Sequence, residues 1–170
     1  DNFAQAIDSK TKELGPEMKA KGIVLYKEPS LDVTHTSFNM KDPVVGKNKL
    51  LRQAISLAVN VPEEIELFYN GRAISAMGPI PPGLAGYSES VKNPYKEFSL
   101  EKAKELLKKA GFPDGKGLAP IEYLSLADTT ARQMTEYFQK ALAPLGIQVK
   151  VQTFSWPEFQ ASLKNGKGQM

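Results

Sequence analysis

The amino-acid sequence predicts an α/β fold, and two observations carry that prediction. From residue 121 onward the patterns run strand, helix, strand, helix, an order that gives parallel strands covered by helices. Upstream, apolar residues recur three and four positions apart, as they do in helices with one buried face. The 170 residues, of which 41% are hydrophobic, suffice for one domain with a real core, or for one domain plus an appendage.

The first forty residues predict two helices followed by two strands. Residues 3–20 favour helix with a break near Gly15, and Pro16 suits the first turn of the second helix. Residues 22–29 predict a short strand. Residues 31–40 predict another strand, because they are rich in β-branched and aromatic side chains.

Two amphipathic helices are expected next. Pro62 fits the first turn of the second of them, and Gly71 is its predicted stop. Lys47 and Lys49 give the first helix a basic start, although a helix N-terminus favours acidic side chains. Helix chemistry therefore does not explain these two lysines. The apolar stripe of the first helix is Leu51, Ala54, Ile55, Ala58 and Val59.

The middle of the chain predicts a long loop and then a well-capped helix. Residues 72–98 are rich in proline and glycine, and loops of this length are usually functional or disordered. Ser99 is a good N-cap for the following helix, and Gly111 is placed to end it. Residues 111–117 predict a turn. The expected apolar stripe of the helix is Ala103, Leu106, Leu107 and Ala110.

The last fifty residues predict the two strands of a parallel pair and their helices. Strands are expected at residues 119–128 and 146–154, and helices at residues 129–143 and from Pro157 onward. The positions expected to be buried are Met134, Tyr137, Phe138, Ala141 and Leu145 in the first helix, Ile147, Val149 and Val151 in the second strand, and Phe159 and Leu163 in the last helix.

The composition argues against several classes of function. The net charge is +3 and the lysines are scattered, which argues against nucleic-acid binding. A sequence without cysteine has no thiol nucleophile or thiolate metal site, and the single histidine, His35, cannot build a zinc cluster or a catalytic triad. No apolar run is long enough to span a membrane. We therefore expect a soluble protein that is not an enzyme and holds no metal or cofactor.

Two places in the sequence are candidates for ligand binding. Residues 127–133 form a strand-to-helix junction, where open α/β sheets bind ligands, and Arg132 there is suited to a carboxylate. The alternative is a solvated arginine in the first turn of a helix. Trp156 follows a strand and could point into a cleft. The alternative, which the residues by themselves favour, is a core tryptophan packed against the last helix.

Four motifs, taken in order, resemble one protein family. They are SFNMKDPVVGKNKLLRQAISLAVN, NGRAISAMGPIPPGLAGY, SLEKAKELLKKAGFPDGKG and TTARQMTEYFQKALAPLGIQVKVQTFSWPEFQASLKNG. Together they resemble the bacterial extracellular solute-binding proteins of peptide and nickel uptake systems, which are the binding components of ABC importers. The resemblance spans about residues 23–166.

The resemblance implies a type II periplasmic-binding-protein-like fold, in which two lobes close on a ligand. This chain is then expected to be the second lobe, a mixed sheet covered by helices. Residues 1–30 are assigned to the end of the first lobe and the approach to the hinge. Residues 31–170 are assigned to the second lobe without its return hinge strand.

The resemblance also implies a function. The chain is expected to be the ligand-binding lobe of a protein that delivers peptides, or a related small solute, to the membrane permease of an ABC importer. Its location would be periplasmic, or extracellular with a lipid anchor, and the signal segment is absent from this chain. The residues expected to contact the ligand are Asn39, Ser125, Asp128, Thr130, Arg132 and Trp156. The alternative is a free-standing α/β protein-interaction domain that docks through the Pro-rich loop 78–83.

Overall fold

The computed structural model describes residues 6–8 and 10–170, which form two compact units. Unit 1 contains the described residues up to Val33 together with Pro62–Lys92, and unit 2 contains Thr34–Val61 together with Asn93–Met170. The assignment of residues 1–30 and 31–170 to different lobes stays a prediction.

The regular elements are six helices and two strands of the described residues. The helices are α1 Pro16–Ala20, α2 Lys49–Ala58, α3 Val61–Tyr69, α4 Leu100–Lys109, α5 Thr129–Leu142 and α6 Trp156–Lys164. The strands are β1 Ile121–Leu126 and β2 Val149–Phe154, and short 3-10 turns span Pro113–Gly115 and Ala143–Leu145.

Unit 2 is built on a parallel pair of strands, as the sequence predicts. β1 and β2 run side by side from the pair Ile121–Val149 to the pair Leu126–Phe154. Parallel neighbours need a long crossover connection, and α5 with its flanking turns supplies it. The carboxyl ends of both strands consequently lie at one edge of the sheet.

The chain after α6 returns along the second edge of β1. The N–H of Leu124 donates to the carbonyl of Met170 at 2.9 Å, and the N–H groups of Gln169 and Met170 donate to the carbonyl of Glu122 at 3.0 Å. Successive residues of a strand direct their backbone groups to opposite sides, so these bonds lie on the side of β1 away from β2. Residues 166–170 thus cover an edge that would otherwise expose unpaired backbone groups.

The core of unit 2 is formed by residues of α2, α4, α5 and β1. α2 and α4 are antiparallel: the N–H of Ser99 donates to the Leu57 carbonyl, and the Asn48 side chain donates to the Ala110 carbonyl, both at 2.9 Å. The predicted stripes of the two helices are confirmed. Six of their members are at most 2% exposed: Leu51, Ala54, Ile55, Ala58, Ala103 and Leu107.

The predicted cap of α4 and the predicted glycine stops of α3 and α4 are confirmed. The Ser99 hydroxyl accepts a hydrogen bond from the N–H of Lys102 at 3.3 Å and caps α4. Gly111 follows α4 with a φ of +95°, a conformation that side-chain-bearing residues rarely adopt. Gly71 follows α3 with a φ of +68°, and its N–H donates to the carbonyl of Ile65.

The buried face of α5 is shifted from the predicted one. The face is centred on Thr135, Phe138 and Leu142 rather than on the residues at its margins. The aromatic ring of Phe138 lies against Tyr123 of β1, with 5.2 Å between the ring centroids. The half-buried residues at the margins of the face are Met134, Tyr137 and Ala141.

The prediction that α6 buries Leu163 is wrong, and Phe159 is only half-buried. Leu163 is 50% exposed, whereas Ser162 is the buried residue of this helix. Apolar spacing identifies a stripe on a helix but not the neighbour that the stripe meets. Here the buried side chain of α6 is the small Ser162, and Leu163 of the apolar stripe remains exposed.

The predicted strands at residues 22–29 and 31–40 are also wrong, since neither segment forms a β-ladder with any described residue. Val24 and Tyr26 are 66% and 83% exposed. β-Propensity measures how well a side chain fits a half-buried sheet surface, and a strand requires a hydrogen-bonded neighbour. The composition of these segments gives them a high β-propensity, but it does not provide a neighbouring strand to pair with.

Of the described residues before Pro16 only Ala6 is helical, so the helix expected up to the break near Gly15 is wrong for residues 7–8 and 10–14, whereas the short helix beginning at Pro16 is confirmed. Ile7 and Leu14 form an antiparallel bridge. In the turn between them, the Asp8 carboxylate accepts hydrogen bonds from the N–H groups two and three residues further on, each at 2.8 Å. Such local bonding competes with helix formation. Residues 3–5 and 9 of the predicted helix lie outside the described residues.

Unit 1 joins this turn to α3 through one lysine. The ammonium of Lys12 donates to a carboxylate oxygen of Glu66 at 2.8 Å and to the side-chain oxygen of Asn70 at 2.5 Å. Residues 72–98 form a loop without regular secondary structure, as predicted. Throughout the described residues, no helix combines the length and apolar character needed to cross a membrane.

Candidate ligand-binding site

The carboxyl ends of β1 and β2 bring two helix N-termini to one edge of the sheet. The N–H of Ala127, just beyond β1, donates to the carbonyl of Phe154, the last residue of β2, at 2.9 Å. From this edge the chain enters α5 after Asp128 and enters α6 after Ser155. Open α/β sheets bind ligands in this position, where the free N–H groups of helix N-termini also favour anions.

The start of α5 places three of the predicted residues at this edge. The Asp128 carboxylate accepts a hydrogen bond from the N–H of Ala131 at 2.8 Å and caps the helix, and Thr130 is exposed. The Arg132 side chain is 69% exposed, and its Nε lies 3.8 Å from a carboxylate oxygen of Glu136. An exposed pair at this distance contributes little to stability. The Arg132 guanidinium is therefore accessible to a carboxylate from solution.

Trp156 lies at the start of α6 and is not a core residue, because it is 57% exposed. Its ring stacks against Phe159, with 6.1 Å between centroids and 23° between the planes. Leu163 continues the same side of the helix one turn later. Exposed aromatic rings of this kind provide a large apolar surface for a ligand side chain.

The first turn of α6 is capped by an interaction between Ser155 and Glu158. The Ser155 hydroxyl donates to a Glu158 carboxylate oxygen at 2.6 Å, and the Ser155 N–H donates to the same oxygen at 3.0 Å. These bonds, from the hydroxyl first and the N–H second, lower the pKa of Glu158 from its ordinary value of 4.5. A carboxylate at the third helical position that reaches back to the cap is one half of a capping box.

Ser125 lies beneath the edge rather than on it. It is 6% exposed, and its hydroxyl is 3.1 Å from the hydroxyl of Thr135, which donates to the carbonyl of Ala131 at 2.7 Å. This chain of hydrogen bonds joins β1 to the first turns of α5. Ser125 therefore holds the helix that carries Arg132.

Asn39 is bonded to the chain beyond α6. Its amide nitrogen donates to the carbonyls of Gly166 and Gly168, both at 3.0 Å. Its side-chain oxygen accepts from the N–H of Lys41 at 3.1 Å. Both hydrogens of the amide group are thus used within the protein. Contact with a ligand stays a prediction for Asn39, as it does for the other five predicted residues.

Sequence reasoning missed two contributors to this edge. Phe159 was predicted to be buried, although it is half-buried and its ring stacks on Trp156, and Glu158 was not singled out. A serine followed three residues later by a glutamate, as in Ser155 and Glu158, is the sequence signal for a capping interaction at a helix start.

A cavity of about 380 Å³ lies at the start of α2 and involves none of the predicted ligand residues. Asn48 caps α2 there by accepting from the N–H of Leu51 at 3.1 Å. Lys47 and Lys49 lie at the rim of this cavity, so they border a surface depression rather than the strand ends. Within the described ranges, His, Asp and Glu side chains form no group of three suited to a metal ion.

The class of protein follows from the fold and from solved structures that resemble it. A periplasmic binding protein, DppA from Helicobacter pylori in complex with the peptide STSA, matches with a TM-score of 0.70 and 33% identity, over 78% of this chain and 25% of that one. HbpA2 from Haemophilus parasuis matches with a TM-score of 0.74 and 27% identity, over 84% of this chain and 28% of that one. The fold is that of the type II periplasmic binding proteins.

The family follows from sequence comparison. The family model described as "Bacterial extracellular solute-binding proteins, family 5 Middle" matches residues 3–170. The chain is 34% identical over 153 residues to the dipeptide-binding protein of Escherichia coli K12, and 33% identical over 151 residues to the glutathione-binding protein GsiB of the same strain. These alignments cover 88% and 89% of this chain and 28% of each relative.

The chain therefore belongs to the family 5 bacterial extracellular solute-binding proteins. It spans little more than a quarter of the length of the curated relatives that it matches. This family consists of transport-associated binding proteins and not of enzymes, so the predicted family and the prediction of a non-enzyme are both confirmed.

Proposed function

We propose that this chain is part of a binding protein that delivers peptides, or a related small solute, to an ABC importer, and that it forms one wall of the ligand site. The observation that carries the proposal is the exposed Trp156 at the paired strand ends, in a chain of this family. Two relatives are named for dipeptide and glutathione binding, and a third is solved with a bound peptide. Membership of the family favours this function over a free-standing interaction domain that uses loop 78–83.

The wall has two parts with different chemistry. Trp156 and Phe159 offer an aromatic surface on which a ligand side chain can pack, and they belong to α6. Arg132, Thr130 and Asp128 offer charged and polar groups at the start of α5, with the guanidinium suited to a carboxylate. Ser125 supports the second part from below.

The rest of the ligand site belongs to the larger protein. Residues 31–170 would form the second lobe, residues 1–30 the end of the first, and the two lobes would close on the solute. The closed protein would then dock on a membrane permease. A relative described as periplasmic supports a location in the periplasm, with a lipid-anchored extracellular form as the equivalent in cells without an outer membrane.

The decisive experiment is calorimetric titration of the full-length protein with dipeptides, tripeptides and reduced glutathione. Trp156→Ala should weaken binding of the best ligand about 10- to 100-fold, since burying an aromatic side chain is worth roughly 1.5–3 kcal/mol. Phe98→Ala is the matched control, because Phe98 is an exposed aromatic residue of unit 2 that lies outside the strand-end edge. Equal affinities for the Trp156 and Phe98 variants would refute this location of the site.

A further inference from the structure

We propose that Asn39 is a positioning residue that holds α6, and with it Trp156, at the strand-end edge. The significance of this inference rests on the proposed function, but the physical claim does not. It concerns how one helix is fixed by a side chain that lies 117 positions before Trp156 in the sequence. Because Asn39 and α6 are far apart in the sequence, no local sequence pattern predicts this contact.

α6 is weakly held along its length. Of the nine residues from Trp156 to Lys164, only Ser162 is buried. By contrast, α5 buries Thr135, Phe138 and Leu142 against the sheet. A helix of this length gains its stability from a packed face rather than from its own backbone. The position of α6 must therefore depend on how its two ends are attached.

The N-terminal end is attached through β2, which ends at Phe154, directly before the Ser155 cap. The C-terminal end is attached through the carbonyls of Gly166 and Gly168, which accept the two hydrogens of the Asn39 amide at 3.0 Å each. The backbone of Asn39 adds a third bond, from its N–H to the carbonyl of Gln169 at 2.9 Å. We call this set of contacts the Asn39 clasp.

Gln169 ties the clasp to the sheet. Its side-chain oxygen accepts from the N–H of Glu122 at 2.9 Å, and its amide nitrogen lies 3.2 Å and 3.3 Å from the two carboxylate oxygens of Asp42. Asp42 in turn accepts from the N–H groups of Val44 and Val45, each at 2.8 Å. The segment after α6 is thereby bonded both to β1 and to the segment 39–45.

The amide of Asn39 is committed to these bonds, which separates a positioning role from a ligand-contact role. A side-chain amide has two donor hydrogens, and Gly166 and Gly168 take both. Removing the amide would leave two part-buried or exposed carbonyls without this partner, and would release the C-terminal anchor of α6. The first consequence is increased opening of α6 itself rather than loss of the core.

The test uses the 170-residue chain, in which Trp156 is the single tryptophan and sits on the helix in question. Asn39→Ala removes the donors, and Asn39→Asp keeps the shape while turning a carboxylate toward the two carbonyls. The matched control is Asn165→Ala, since Asn165 is an exposed residue at the end of α6 that takes no part in the clasp. Gln169→Glu, which removes the donor to Asp42, is the second variant if the Asn39 variants do not fold.

The measurements are hydrogen exchange followed by mass spectrometry and acrylamide quenching of Trp156. Loss of two hydrogen bonds should speed exchange in residues 156–170 by about tenfold, with Asn39→Asp at least as strongly affected as Asn39→Ala. Exchange in α2 and α4 should be unchanged, and quenching of Trp156 should become easier. Uniformly faster exchange would mark Asn39 as a purely structural residue and overturn the proposal, as would an α6 that exchanges at the wild-type rate.

A second arm keeps this inference distinct from the proposed function. In the full-length protein, Asn39→Ala should weaken binding of the best peptide about 5- to 30-fold, and Asn165→Ala should leave it unchanged. A full-length protein that binds no peptide or glutathione would refute the proposed function, while the exchange result would still decide the role of Asn39. Normal affinity in an Asn39→Ala variant whose α6 exchanges faster would refute the link to the ligand.

Discussion

The close approach of Gly168 to β1 gives a prediction whose magnitude can be derived from two neighbouring glycines. Gly166 and Gly168 have φ values of +65° and +72°, and both carbonyls accept from Asn39. A Cβ on Gly166 would meet nothing within 4 Å. A Cβ on Gly168 would lie 2.5 Å from Cγ of Leu124, which is 5% exposed and therefore cannot easily move aside.

Alanine at either position must adopt a left-handed backbone conformation, which destabilises the folded state by about 1 kcal/mol. Only Gly168→Ala adds the overlap with Leu124, and forcing an extra carbon into a packed site costs typically 1–3 kcal/mol. We therefore expect the free energy of unfolding of unit 2 to fall by about 1 kcal/mol in Gly166→Ala and by about 2–4 kcal/mol in Gly168→Ala.

The assay is urea unfolding followed by far-ultraviolet circular dichroism, with the slope against urea compared between the variants to check that the same transition is observed. The two glycines lie two residues apart, both have a left-handed φ, and both accept from the Asn39 amide, so the difference between them isolates the contact with Leu124. Losses of stability that agree within about 0.5 kcal/mol would refute the close packing of residues 166–170 against β1.

Three further predictions concern a helix cap, an acid-sensitive contact and the ligand. Ser99→Ala should lower the stability of unit 2 by about 1 kcal/mol in urea unfolding, whereas Ser99→Gly should cost only a few tenths; equal losses would contradict the capping role. Because the Ser155 bonds lower the pKa of Glu158, the folded state favours its carboxylate, and this stabilisation is present above pH 4.5 and is lost as the pH falls through the lowered pKa. Thermal unfolding of Glu158→Gln should accordingly show less loss of stability on acidification than the wild type, and an unchanged acid profile would refute the contact. Calorimetry should show the 170-residue chain binding the best peptide at least about 100-fold more weakly than the full-length protein, because sites of this kind bury about 70–90% of the ligand surface; equal affinity would mark the chain as a self-sufficient binding domain.

The elements that the sequence predicts correctly are those specified by short-range signals. Ser99 and Gly111 mark the two ends of α4 because a cap and a left-handed glycine act within a few residues of themselves. The pairing of β1 with β2 is likewise predictable, since a strand–helix–strand unit has one favoured handedness and a parallel arrangement.

The predictions that are wrong depended on contacts with distant parts of the chain. Residues 22–29 and 31–40 have the composition of strands, but pairing requires a neighbour that composition does not specify. Leu163 falls on an apolar stripe, but it remains exposed, and Ser162 is the buried residue of its helix. The bonds of Asn39 to residues 127 and 129 positions away are of the same kind.

The two helices at the strand-end edge are held in different ways, and this difference has a consequence for ligand recognition. α5 is anchored along its length by Phe138, Leu142 and the hydrogen bond between Ser125 and Thr135, so the groups at its start have a fixed position. α6 is anchored mainly at its ends, and Ser162 is the one buried residue among its nine, so a shift of this helix would disrupt less packing than a shift of α5. In the proposed site, a rigid part on α5 and an adjustable part on α6 would hold the terminal charges of a peptide while accommodating different side chains. Substitutions in the buried face of α5 should therefore lower stability, whereas substitutions on the exposed face of α6 should change which side chains bind.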